Sequence, residues 1–205
     1  MAGLRGFLRD LGKVKKIYPD VPSIARRMFV TNSMDGLLAA LGVNIGGYSP
    51  TGDPMLIAAS IMGGGVAMGV MSGMVGVYLS EKAERIREVR ELEKKLSSKF
   101  KEDSVYWRAA RLIPIYVALW SGIGIVLFPT LVAVPYIMAA VSGFSMREAF
   151  ITSLAMALAL MGLLGAYLAR ISGEDPLTSA LRGLGLGVLA AIMVYLLKGV
   201  LGAIY

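Results

Sequence analysis

The sequence contains neither cysteine nor histidine, and only 17% of its residues are charged. The absence of cysteine excludes disulfide bonds and any chemistry that depends on a thiol. Without either residue type, zinc sites of the usual kind and haem ligation by histidine are excluded as well. A metal site in this chain would have to use carboxylates, amides, hydroxyls, methionine thioethers, backbone carbonyls or water.

Apolar residues dominate what is present: they make up 56% of the 205 residues, and the mean hydropathy is +0.67. The charges are concentrated in residues 1–27 and 81–111, which leaves long apolar blocks elsewhere. A helix that spans a bilayer needs about 20 predominantly apolar residues. The sequence therefore predicts an all-α integral membrane protein, a single multi-pass bundle in the cell membrane.

Five apolar spans are long enough to cross the bilayer, and short turns rich in proline and glycine join most of them. They cover about residues 28–49, 55–79, 112–138, 149–169 and 183–204. The third span contains three prolines, each of which removes a backbone hydrogen bond from a helix. We expect this span to break near Phe128-Pro129, with residues 130–141 forming a short separate segment near the outer surface.

The spans divide the chain into four regions: a basic N-terminal segment at 1–27, two spans at 28–79, a charged helical segment at 80–111 and three spans at 112–205. The N-terminal segment has no apolar core of the kind found in a cleavable signal peptide. Its apolar residues recur at helical spacing, which suits either a helix on the lipid surface or a solvated tail.

Lysine and arginine counts predict the orientation, because these residues accumulate in cytoplasmic loops. The N-terminal segment carries 7, the 80–111 segment 10 and the 170–182 connection 2, so 19 lie on one face. The other face carries Arg147, together with Lys198 late in the fifth span. We expect a cytoplasmic N-terminus and an external C-terminus. The same arrangement explains the net charge of +7 without nucleic acid as a partner, since no aromatic platform or nucleic-acid motif accompanies the basic residues.

Asp35 is the residue that most clearly indicates function, because it lies about a third of the way into the first span. Insertion scales place the cost of a carboxylate at a helix centre at about +2.5 to +3.5 kcal/mol. Asn32 lies one turn before it and Asn44 further along, so the span has a polar stripe. An ion or proton site is the favoured interpretation, and a buried carboxylate that ties helices together is the alternative.

The second span is rich in glycine and methionine. Gly65, Gly69 and Gly73 recur every four residues, a spacing that allows close helix packing either within the protomer or between protomers. Met71 and Met74 lie beside them, and a thioether suits a soft or borderline cation. Most buried methionines only fill space, so packing is the more conservative interpretation.

The charged segment places Glu84, Glu88 and Glu91 on one face of a helix, and Glu81 adjoins that face. These carboxylates could collect a divalent cation before it enters the membrane. Basic residues are interspersed among them, so a solvated helix stabilised by ion pairs is the simpler account.

Three blocks of the sequence together resemble the vacuolar iron transporter family. They are Asp35-Gly36-Leu37 followed by Gly42 and Gly46-Gly47, the stretch from Ser72 to Lys82, and the stretch from Gly165 through Pro176-Leu177 to Gly187. The second block departs from the family pattern, with Gly73 in place of methionine and Val77 in place of glutamate.

The resemblance implies a five-span homodimer that moves ferrous iron or manganese out of the cytosol in exchange for protons, with no permanently bound cofactor. It implies that Asp35 is a ligand on the translocation path and that residues 81–103 gather metal on the cytoplasmic side. Together with the chemistry of the neighbouring side chains, this predicts metal ligands among Asp35, Asn32, Met34, Met71, Met74, Glu81, Glu84 and Glu88. Two alternatives remain: a membrane scaffold or assembly protein of the same fold, and a transporter of another small solute. An enzyme is not expected, because Asp35 and hydroxyl groups are the only side-chain groups within the spans that could take part in catalysis.

Overall fold

The computed structural model describes Gly12 and residues 17–202. The described residues form helices and no strands, as the sequence predicts. Their elements are α1 (Val21–Gly47), α2 (Pro54–Met68), a π-helical segment (Gly69–Gly76), α3 (Val77–Lys95), α4 (Val105–Ser142), α5 (Met146–Ser172) and α6 (Pro176–Gly202). The helix considered for the N-terminal segment lies largely outside the described residues.

Five helical rods in the described residues are long and apolar enough to cross a membrane. The second rod runs without a break from Pro54 to Lys95, so α2, the π segment and α3 are continuous. The charged segment predicted to begin at residue 80 is therefore the extension of the second span. The chain is a multi-pass membrane protein whose apolar outer surface contacts the lipid bilayer.

The chain crosses back and forth, so α1 begins at the same end as the α3–α4 and α5–α6 connections. We call this the basic end, since 14 of the 16 lysine and arginine residues that the structure describes belong to the segments there. An ion pair between Arg85 of α3 and Asp20, just before α1, joins two of these segments. At the opposite end, the ammonium of Lys198 in α6 donates hydrogen bonds to the carbonyls of Ile45 and Tyr48, where α1 ends.

The central element is α4, which contacts α1, α2, α3 and α5, whereas α6 lies at the edge and packs mainly on α5. Glycines allow the α5–α6 contact: a Cβ placed on Gly187 would lie 2.8 Å from the Met161 sulfur of α5. Most of the remaining α6 surface is exposed and apolar.

The expected break at Phe128-Pro129 is wrong, because α4 is one helix of 38 residues that includes all three prolines. Pro129 cannot donate to the Ile125 carbonyl, yet that oxygen lies against two glycines of neighbouring helices. A Cβ on Gly36 of α1 would lie 2.9 Å from it, and one on Gly65 of α2 would lie 3.5 Å away. Nearby hydroxyls bind other α4 carbonyls: Thr130 donates to Val126 and Ser153 of α5 to Val132, each at 2.7 Å. Such prolines survive in a membrane where neighbouring helices and hydroxyls satisfy the backbone.

The glycine row of the second span packs within the protomer, which is one of the two arrangements that its spacing predicted. A Cβ on Gly69 would lie 2.6 Å from Val126 of α4, and one on Gly73 would lie 3.0 Å from Ile125. Both glycines belong to the π segment, where the helix widens against α4. π-Helical turns are rare and often occur at functional sites.

Candidate functional site

Asp35 lies in an open cleft of about 580 Å³ between α1 and the basic end of α5. The side chain of Asp35 is exposed within the protomer, and it forms no hydrogen bond or ion pair with any other described residue. The cleft is lined by Ser23, Ile24, Arg26, Arg27, Val30, Thr31, Met34, Asp35, Leu38, Leu168 and Ile171. We call it the Asp35 cleft.

The cleft combines three kinds of side chain at different depths. Arg26 and Arg27 are exposed near the start of α1, and Asp35 lies about 12 Å further along the helix axis, at 1.5 Å per residue. Thr31 and Met34 are close to Asp35 in the helix and line the same cleft. The carboxylate, hydroxyl and thioether therefore lie in the apolar part of the cleft, while the positive charges lie at its basic end.

Asn32, which was predicted beside Asp35 as a ligand, is directed toward another helix. Its amide nitrogen donates to the Met28 carbonyl at 3.0 Å and to the Ser121 hydroxyl of α4 at 2.6 Å. The Ser121 hydroxyl in turn donates to the Gly73 carbonyl in the π segment at 2.5 Å. Asn32 thus belongs to a hydrogen-bonded chain across three elements, and the structure does not bring it together with Asp35.

The other polar residue of the stripe, Asn44, is also occupied within the bundle. Its side-chain oxygen accepts a hydrogen bond from the Tyr136 hydroxyl of α4, and both residues are fully buried. The same side of α1 carries Ser33, which is buried and donates to the Phe29 carbonyl at 2.6 Å. The polar stripe expected along the first span therefore divides between two faces of α1.

The two methionines predicted as soft ligands lie away from the Asp35 cleft. Met71 is 68% exposed on the outer surface of the π segment. Met74 is half-buried and lines a separate cavity of about 220 Å³ with residues of α3 and α4. A Cβ on Gly122 of α4 would overlap the Met74 side chain, so Met74 fills the space that this glycine leaves.

The three glutamates of the charged segment that were predicted as metal ligands are ion-paired with arginines. Glu81 and Glu88 flank the buried Arg85 at 3.8 and 2.7 Å, and Glu84 pairs with Arg87 at 2.5 Å. Glu81 lies beyond the apolar part of its helix, where partial burial raises the pKa of its carboxyl and Arg85 opposes that shift. This geometry agrees with the helix stabilised by ion pairs, the simpler of the two interpretations.

Arg85 is a feature that the sequence analysis missed. Only 6% of its side chain is exposed, and its guanidinium lies 3.6 Å from Asp20 as well as close to the two glutamates. It also lies 5.7 Å from the ring centre of Tyr18. The available signal was an arginine with acids at positions i−4 and i+3, a spacing that brings both carboxylates to one guanidinium.

Within the part of the chain that the structure describes, no group of three or more acidic side chains is placed to hold a metal ion. One protomer therefore offers a single carboxylate in the cleft, accompanied by Thr31 and Met34. An ion bound there would need further ligands from water or from a second copy of the chain.

Comparison with known proteins identifies one relative that covers most of the chain. No family model matches the sequence. A protein of Methanocaldococcus jannaschii, "Uncharacterized protein MJ0645", is 30% identical over 175 residues, which are 84% of this chain and 87% of the relative. The chain belongs to the same protein family as this Methanocaldococcus protein.

Proposed function

We propose that the protein is a homodimeric transporter that exports ferrous iron or manganese from the cytosol in exchange for protons. The observation that carries the proposal is the position of Asp35, a carboxylate within a spanning helix that has no partner among the described residues. An isolated carboxylate in lipid is costly, so its environment must supply water, a cation or protein. The resemblance of three sequence blocks to the vacuolar iron transporter family supports the same cargo.

The side chains around Asp35 suit a transition metal better than calcium. The cleft offers one carboxylate, the Thr31 hydroxyl and the Met34 thioether. Calcium takes six to eight ligands that are all oxygen, whereas ferrous iron and manganese are softer and tolerate a mixed set that includes a thioether. A single carboxylate also holds either a metal or a proton, which is the minimum needed to exchange one for the other.

A second copy of the chain would complete the site. Toward its far end, the exposed side of α1 carries Gly42 and Gly46, and a Cβ on either would meet nothing within 4 Å. Gly63 and Gly64 of α2 have open space in the same way. Small residues four apart allow spanning helices to approach closely. A two-fold axis beside α1 would bring two Asp35 carboxylates to one ion.

The orientation follows from charge. With the basic end in the cytoplasm, the Asp35 cleft opens toward the cytosol, as an export pathway requires. The glutamates of α3 extend on the same side of the membrane, although their arginine partners limit them to a supporting electrostatic role.

A second candidate is a transporter of a small solute that carries both charges. Arg26 and Arg27 line the same cleft as Asp35, and together they would hold an anionic group at the basic end. A solute with a cationic group about 12 Å from its anionic group would satisfy both sites. The scaffold alternative predicts no flux of any solute.

The test is metal flux into proteoliposomes beside thermal stability. Wild-type protein is expected to move Fe²⁺ and Mn²⁺, but not Ca²⁺, against a proton gradient. Asp35→Asn keeps the shape of the side chain and removes its charge, so flux should be lost while the melting temperature is retained. Asp103→Asn, at an exposed position in the α3–α4 connection, is the matched control and should transport normally. Absence of wild-type flux, or equal flux in Asp35→Asn, would overturn the proposal.

A further inference from the structure

Another cavity, separate from the Asp35 cleft and from the one that Met74 lines, lies between α3 and the start of α4. Its volume is about 310 Å³, and it is lined by Lys82, Ile86, Glu102, Trp107, Ala110 and Arg111. None of these residues takes part in the proposed transport site. We call it the Lys82–Arg111 cavity.

The two cations of this cavity lie where the apolar parts of their helices end. Lys82 follows the last apolar residue of the second span, Leu79, by three positions, which is about 4.5 Å along the helix. Arg111 immediately precedes Leu112, where the apolar part of α4 begins. Trp107 lies one turn before Arg111, and tryptophan is enriched at the membrane–water interface. The cavity is therefore at the level of the lipid headgroups.

Both cations are held in place without a neutralising carboxylate. Arg111 donates to the backbone carbonyls of Trp107 at 3.2 Å and Glu102 at 2.5 Å. The Lys82 ammonium lies 5.4 Å from the ring centre of Tyr78. Among the described residues, neither cation forms an ion pair, although the exposed Glu102 side chain also lines the cavity. The site thus has two positive charges and one negative charge.

We propose that the Lys82–Arg111 cavity binds the headgroup of an anionic phospholipid. The two carbonyls accept hydrogen bonds from Nε and Nη2 of Arg111 and fix its guanidinium, which leaves the Nη1 hydrogens to donate to a phosphate oxygen. Lys82 adds a second positive charge from the neighbouring helix. Ile86 and Trp107 supply an apolar surface for the glycerol end of the lipid. This inference goes beyond the proposed transport function and does not depend on it.

Tryptophan fluorescence tests the proposal directly, because the chain has only two tryptophans, Trp107 and Trp120. Trp120→Phe leaves Trp107, in the cavity wall, as the only reporter. In nanodiscs that contain a small fraction of brominated lipid, quenching of Trp107 should favour brominated phosphatidylglycerol over brominated phosphatidylcholine by roughly tenfold in apparent affinity. Equal quenching by the two lipids would overturn the proposal.

Charge variants in the Trp120→Phe background test whether the preference for the anionic lipid arises in the Lys82–Arg111 cavity. Lys82→Gln with Arg111→Gln should abolish the preference, whereas Lys82→Arg, which keeps both charges and leaves Arg111 in place, should retain most of it. Arg90→Gln with Lys94→Gln removes the same net charge from α3 outside the cavity and should leave the preference unchanged. If that control pair abolishes the preference as completely, general charge attraction accounts for it and the cavity does not.

Two further measurements separate the lipid from other sources of quenching. Trp107→Phe leaves only Trp120, which lies nine residues into the apolar part of α4 and should respond equally to both lipids. Inorganic phosphate or glycerol 3-phosphate in solution should leave Trp107 quenching unchanged. Displacement of the brominated lipid by either soluble phosphate would show that the cavity binds a soluble anion and would overturn the proposal.

Discussion

The two faces of α1 use their polar residues in opposite ways. On the inner face, Asn32 and Asn44 bind hydroxyls of α4 and help to hold the bundle together. On the outer face, three residues after Asn32, Asp35 is exposed and binds no other described residue. The polar residues of this spanning helix therefore have two separate roles. Those of the inner face stabilise the bundle, and only the outer face is free to bind a ligand.

Glycine substitutions on α1 give the largest expected contrast between these faces. Gly36→Leu places a side chain where even a Cβ would lie 2.9 Å from the Ile125 carbonyl and 3.0 Å from Pro129. Overpacking of this kind should destabilise the protein by about 3 kcal/mol or prevent folding. Thermal unfolding in detergent, followed by circular dichroism, measures the loss.

Gly42→Leu is the matched change on the outer face, where a Cβ meets nothing within 4 Å. It should leave the protomer's melting temperature unchanged but weaken the proposed homodimer, which light scattering in nanodiscs or detergent would detect. If Gly42→Leu unfolds the protein as readily as Gly36→Leu, the two faces of α1 are not different in the way described.

The sequence predicted the number and positions of the spans well, because each apolar block exceeds the length needed to cross a bilayer. It failed at Pro129, where proline alone indicates a break. The helix continues because Gly36 and Gly65, distant in sequence, allow two helices to pack closely around the Ile125 carbonyl. A single sequence does not show which glycines face which proline.

The candidate site was predicted in part. The intramembrane carboxylate identified Asp35, but helical periodicity alone did not separate the face of Asn32 from that of Asp35. These residues differ by about 300° of rotation at 3.6 residues per turn, which leaves them 60° apart and close enough to share a face. The side chain of Asn32 is directed away from Asp35 because it donates a hydrogen bond to Ser121, a small residue in an apolar span. Arg85 was missed because its contacts with Asp20 and Tyr18 join residues that are far apart in sequence.

Removal of the Ser121 hydroxyl should cause the next largest loss of stability, because it breaks contacts of the inner face only. Ser121→Ala leaves the Gly73 carbonyl without its donor and removes one partner of Asn32, at an expected cost of about 2 kcal/mol. Chemical unfolding would measure it. Ser60→Ala is the control, since that exposed hydroxyl bonds only within its own helix. Equal free energies of unfolding for Ser121→Ala and wild type would show that the hydrogen-bonded chain does not stabilise the inner face.

Loss of the Lys198 ammonium should have a smaller effect at the far end of α1. Lys198→Met removes two hydrogen bonds to carbonyls of the Ile45–Tyr48 stretch, for an expected loss of about 1 kcal/mol. Lys94→Met, at the exposed end of α3, should not change the melting temperature. A Lys198→Met protein as stable as wild type would mean that water satisfies these carbonyls equally well.

Single cysteines test the orientation without any expected change in stability, and the chain has no cysteine of its own to give background. A membrane-impermeant maleimide applied to intact cells should label Arg147→Cys and not Lys94→Cys. Labelling of Lys94→Cys should require permeabilised cells. Labelling of both positions from the same side would contradict the five-span topology.

The most direct test of the contrast between the faces is Mn²⁺ binding, measured by electron paramagnetic resonance in nanodiscs beside the melting temperature. Wild-type protein is predicted to bind one Mn²⁺ for every two chains. Asp35→Asn should lose this binding and keep its stability, whereas Asn32→Leu should lose stability and keep the binding. Retention of Mn²⁺ by Asp35→Asn, or its loss in a folded Asn32→Leu protein, would contradict the assignment of ligand binding to the outer face of α1.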